Sequence, residues 1–162
     1  MDDSHHKDIS AGPLIAGVVF VVIVVIAFFV LPGILNPTID LHFGSAKFKA
    51  RTATTETERA NGIFSTTKLG SDQALVLAFP SEDKLTVAMA DIKVPSDILW
   101  LNREKKVVYI VKNIVPDEVS SKVLESNKSA RYIVQLASGS VDSQSINGGS
   151  TAAFTISDDA IK

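Results

Sequence analysis

Asp97 to Lys112 reads DILWLNREKKVVYIVK. Two apolar runs, 97–101 and 106–112, flank Asn102-Arg103-Glu104-Lys105, a polar loop of hairpin length. Val107, Val108, Tyr109, Ile110 and Val111 are all strong strand formers, so this stretch predicts an antiparallel hairpin. Working outward, YIVQL at 132–136 predicts another strand and 140–145 a helical turn. Residues 151–156 predict a closing strand in which Ala152, Phe154 and Ile156 alternate with polar neighbours. Upstream, 85–90 is a further strand candidate, and ALVLAF at 74–79 reads as a strand buried on both faces and ended by Pro80. Across 46–53, Ala46, Phe48, Ala50 and Thr52 alternate with Lys47, Lys49 and Arg51, the period of a strand with one wet face. Between these two strands, Thr55 followed three residues later by Glu58 forms a capping box. Gly62 can supply the left-handed stop, so a short helix is expected from Glu56 to about Asn61. The fold expected is mainly β with one short helix: an antiparallel sandwich or a partly open barrel, preceded by a single N-terminal transmembrane helix.

That helix is read from LIAGVVFVVIVVIAFFVL, Leu14 to Leu31, which carries no polar side chain. Eighteen residues at 1.5 Å each span about 27 Å, close to the ~30 Å hydrocarbon core of a bilayer. A small domain cannot surround such a rod on every side, which argues against a buried core helix. Pro13 suits the first turn, and Pro32 with Gly33 ends it. The apolar run exceeds the usual h-region of a cleaved signal, its n-region MDDSHHKDIS is acidic, and LPGILNPT offers no A-x-A pattern. An uncleaved signal-anchor follows. The expected organisation is a tail over 1–10, a membrane helix over 11–33, a linker over 34–45 and a mostly-β domain over 46–162. Basic residues after the helix favour a cytoplasmic domain, but long domains translocate largely regardless of charge. A short cytoplasmic tail and an extracytoplasmic domain at the cell membrane are expected.

Composition narrows the function. The 162 residues hold 16 basic and 18 acidic side chains, against a nucleic-acid binder, which would show a basic domain or stripe. Cysteine is absent, which removes disulfides, thiolate metal sites and a cysteine nucleophile. The three histidines are His5, His6 and His42, so a Ser-His-Asp triad has no histidine in the last 120 residues. Asn147-Gly148-Gly149-Ser150 precedes a strand and reads as a hairpin turn, not a phosphate loop. No cofactor, metal site or catalytic residue is assigned.

The ordered set TTETERANGIF, LGSDQALVLAFP, MADIKVPSDILWLNREKKVVYIVKNIVPDE, ARYIVQLASGSV and INGGS resembles the domain of unknown function 192 family. The resemblance runs from about Ala46 to Ile156 and implies a small mostly-β domain, exported or membrane-tethered in many members, with no activity established for the family at large. Matching positions include Glu58, Arg59, Gly62, Phe79, Pro80, Met89, Pro95, Asp97, Ile98, Tyr132, Gly139, Ile146 and Gly149. The family's Trp-Met-Lys-Asn is Ala88-Met89-Ala90-Asp91 here and its closing Gly-Asp is Gly149-Ser150, so polar parts of any shared surface are missing.

Five residues are candidates for binding. Glu58 and Arg59 present a charge pair on the helix, although Glu58 also completes the cap. Asp97 is either a general base or a turn carboxylate that accepts backbone amides. Asp91, six residues earlier, would complete a carboxylate pair. Trp100 is either a core aromatic or the wall of a groove. The leading expectation is a membrane-anchored binding or interaction module whose one assigned partner is the lipid bilayer. The alternative is an extracytoplasmic carboxylate-dependent hydrolase of cell-envelope material, using Asp97 with Asp91 or Glu58. Lys47, Lys49 and Arg51 read as a solvated strand face, with contact to anionic headgroups as a second reading.

Overall fold

The computed structural model describes residues 19, 20, 23, 24, 37–60, 68–117 and 119–162. The chain divides into two compact units, Met1–Pro37 and Thr38–Lys162. In the first, Val19, Phe20, Ile23 and Val24 are helical and exposed. Apart from these four, the expected membrane helix over 11–33 lies outside the described residues. Among the described residues no helix is long and apolar enough to cross a membrane.

The second unit is built from strands β1 (Thr38–Phe43), β2 (Ala46–Ala53), β3 (Gln73–Asp83), β4 (Thr86–Ala88), β5 (Ser96–Leu101), β6 (Val107–Ile114), β7 (Val123–Glu125), β8 (Ala130–Ala137) and β9 (Ala152–Ala153). Two short helices join them, α1 (Glu56–Ala60) and α2 (Ser140–Ser143). Seven strands form one sheet in the order β6-β5-β8-β3-β2-β1-β9, and β4 pairs with β7. The sheet curls until its ends meet. Thr151 bridges Lys106, and the Ala152 N–H donates to the Lys105 carbonyl at 2.9 Å. The result is a curled half-barrel, the second of the two expected architectures; the expected short helix is α1, and the helical turn expected over 140–145 is α2.

One pairing is not antiparallel. β2 and β3 run parallel, Lys49 opposite Gln73 through Ala53 opposite Leu77. Parallel neighbours need a crossover, and α1 lies within it. Residues 34–45 were expected to be a linker, but Thr38–Phe43 is a ladder strand against β2, turned by Gly44 and Ser45 with Gly44 at φ +59°. Ile39, Leu41 and Phe43 alternate along it, and the last two are buried. Nor does Pro80 end β3. Five steps from Ala78 to Asp83 face two steps from Tyr132 to Ala130, a bulge in which a residue without an N–H is tolerated.

The sheet is buried on both faces at its centre. Within the curl, Leu41, Phe48, Val76, Leu99, Tyr132, Val134 and Phe154 gather from across the whole sheet. On the outer face Leu77, Ile98, Trp100 and Ile133 pack beneath Val87, Ile92 and Leu124, contributed by the β4–β7 ribbon and its flank. Every residue of β5 is therefore buried, and all of β8 but its last. Two-sided burial explains why ALVLAF and YIVQL are continuous apolar runs while β2 alternates.

Candidate functional site

The capping box forms as the sequence predicts. Glu58 accepts the Thr54 and Thr55 N–H groups at 2.8 and 3.0 Å, and its own N–H donates to Thr55 Oγ1 at 3.2 Å. These backbone hydrogen bonds hold the Glu58 carboxyl below its ordinary pKa. Arg59 turns the other way. Its guanidinium donates to the carbonyls of Thr54 and Ala78, both at 2.8 Å, and of Lys162 at 2.7 Å, and lies 4.9 Å from the Phe79 ring centroid. Thus α1, the β3 bulge and the 158–162 segment meet at one arginine.

A second arginine completes this corner. Arg131, only 8% exposed, donates from Nε to the Phe79 carbonyl at 3.0 Å and from a terminal nitrogen to Asp158 Oδ1 at 2.8 Å. Next along β8, the Tyr132 ring meets Phe154 edge-on at 5.1 Å, and burial raises its phenol pKa. Arg59, Phe79 and Arg131 therefore form a cationic, aromatic corner against which the chain's own 158–162 segment lies. Sequence reasoning missed Arg131. Its signal was a cation immediately before an apolar run whose strand is buried on both sides.

The other candidates do not join this corner. Asp97 is fully buried between β6 and α2, with Oδ1 accepting the Asn113 N–H at 2.8 Å and Oδ2 the Val141 N–H at 2.9 Å. Asn113, at φ +55°, is placed by that bond. Of the two roles expected for Asp97, the amide acceptor is the one seen. Trp100 is likewise buried, its indole N–H donating to the Leu85 carbonyl at 2.9 Å and its ring 5.3 Å from Tyr109. It is a core aromatic that pins the β4 approach, not a groove wall. Asp91 is the exposed end of a half-buried 3-10 turn, Met89–Asp91, on the β4 side. The acidic pair expected from Asp91 and Asp97 is thus one surface carboxylate and one sealed in the core.

Near Asp97, Gln135 is a polar side chain inside the apolar β8 run. Its Nε2 donates to Ser96 Oγ at 2.6 Å, and Ser96 in turn donates to the Val94 carbonyl at 2.7 Å. Among the described residues, no set of three His, Cys, Asp or Glu side chains could hold a metal ion.

Residues 39–154 match the model of one family, DUF192, "Uncharacterized ACR". The chain belongs to the DUF192 family. No curated protein matches. Among solved structures, one from Sinorhizobium meliloti 1021, described provisionally as a transcription regulator, is similar at TM-score 0.63 and 17% identity, covering 72% of this chain and 92% of that one. A protein of unknown function from Novosphingobium aromaticivorans DSM 12444 is similar at TM-score 0.62 and 21% identity, covering 72% and 83%. Identities this low establish a shared fold. The DUF192 match ends at residue 154, so Asp158 and Lys162, which meet Arg131 and Arg59, lie beyond it.

Proposed function

We propose that this DUF192 chain is a single-pass, membrane-anchored extracytoplasmic β-domain that acts as a binding or interaction module. The observation that carries the reading is the Leu14–Leu31 run, 18 residues without a polar side chain, upstream of a domain that forms its own compact unit from Thr38. Four residues of that run are helical and exposed in the structure. An apolar run of that length finds its low-energy surroundings in lipid.

The binding role is supported by how the candidate side chains are placed. Asp97 and Glu58 already accept main-chain amides, and a general base must be free to reach a substrate proton. The alternative, a carboxylate-dependent hydrolase, would require Asp97 to leave the core. Protease treatment of intact cells tests the topology. The reading predicts that the Thr38–Lys162 unit is digested while a short anchor-bearing fragment survives. Full protection until the cells are lysed would refute an external domain.

A further inference from the structure

The connection between β7 and β8 carries a motif that neither the core nor the Arg59 and Arg131 contacts use. Glu125-Ser126-Asn127-Lys128-Ser129 contains Asn-x-Ser with a residue other than proline in the middle, the acceptor pattern for an N-linked glycan. Glu125 also meets the stricter form of that pattern, in which a carboxylate stands two residues before the asparagine. Of the six asparagines in the chain, Asn127 alone satisfies it. Asn36-Pro37-Thr38 comes close, but its proline fixes φ and bars the bent acceptor conformation.

The structure sets Asn127 apart a second time. Asn102 Oδ1 accepts the Lys106 N–H at 2.8 Å, Asn113 Oδ1 accepts the Ser138 hydroxyl at 2.9 Å, and Asn147 Nδ2 donates to the Ser145 carbonyl at 2.9 Å. Those three carboxamides are tied into turns. Among the described residues, the Asn127 carboxamide and the Ser129 hydroxyl have no hydrogen-bond partner. Asn127, Lys128 and Ser129 are all exposed, whereas Ser126 is fully buried. Its Oγ accepts the Lys128 N–H at 3.1 Å, a serine turn that fixes the bend beneath the exposed acceptor.

We propose that Asn127 is the acceptor of an N-linked glycan, transferred from a polyprenyl pyrophosphate donor by a membrane oligosaccharyltransferase. The Asn127 Nδ2 attacks the anomeric carbon of the donor glycan. A C–N bond forms there as the anomeric C–O bond breaks, the pyrophosphate leaves on its lipid, and the amide gives up one proton to a base of the transferase. The inference rests on the extracytoplasmic reading, because such transfer takes place on that side of the membrane.

The test uses the full chain isolated from the membranes of its own cells. Mass spectrometry of the peptide that contains Asn127 should show an added glycan mass, placed on that residue by fragmentation. The added mass should be lost in Asn127→Gln and in Ser129→Ala, two exposed substitutions that leave the core untouched. Protease access to the Thr38–Lys162 unit, read on the same intact cells, keeps this proposal separate from the topology. An accessible domain with a bare Asn127 overturns the modification and leaves the extracytoplasmic reading standing. A protected domain with a bare Asn127 overturns both. A glycan that persists in Ser129→Ala overturns the acceptor pattern as the basis of the modification.

Discussion

The three central strands, β3, β5 and β8, and the β1–β2 hairpin treat polar side chains in opposite ways. At the centre both faces are dry, and each polar group has become part of the framework: Asp97 holds two amides, Arg131 a carbonyl and a carboxylate, and Gln135 a serine. On the hairpin one face is wet, and the charges there keep their water. The Lys49 and Asp40 side chains are 65% and 63% exposed although only 2.6 Å apart. A charge read from sequence thus has two meanings. In a two-sided strand it marks a structural bond, since an unpaired buried charge is too costly to keep; on a one-sided strand it is available to a partner.

Substitutions at the centre should be the most damaging. Trp100→Ala removes the largest fully buried side chain and should cost about 3–5 kcal/mol in urea denaturation. A loss below about 1 kcal/mol would mean the outer core is not packed as described. Asp97→Ala should cost about 2–3 kcal/mol, because it leaves the Asn113 and Val141 N–H groups unsatisfied. Asp97→Asn, which keeps an acceptor, should cost less.

Effects shrink toward the surface. Thr55→Ala should cost about 1 kcal/mol by removing the α1 cap. The Glu58 pKa is depressed in the folded state, so its contribution is present above the ordinary value of 4.5 and disappears as pH falls through the folded value. The stability gap between the natural chain and Glu58→Gln should therefore be full at neutral pH and close in acid. Asp40→Asn, on the wet hairpin, should leave the denaturation midpoint unchanged. A clear shift there would erase the distinction between the two regions.

Much of this was legible in the sequence. The β2 boundaries, the β5–β6 hairpin and the capping box followed from alternation, branched residues and Thr-x-x-Glu spacing. Pro37 and Gly44 signal turns and so mask β1, although Ile39, Leu41 and Phe43 carry a strand's period. Pro80 signals a strand end in the sequence, because a bulge is defined only by the partner strand. The parallel pairing of β2 with β3 depends on a crossover, which local propensity does not encode. At the candidate site, the roles of Glu58 and Arg59 were half visible. The convergence of Arg131 and Asp158 on the same corner is a tertiary fact between residues 27 apart.

The direct test of the account compares the full chain with one beginning at Asn36, both washed from membranes at alkaline pH. The full chain should stay with the membrane pellet. The shorter one should be released and unfold in a single cooperative transition in detergent-free buffer. A full chain released by the wash, or a shorter chain with no cooperative transition, would contradict a self-sufficient domain held to lipid by its N-terminal run.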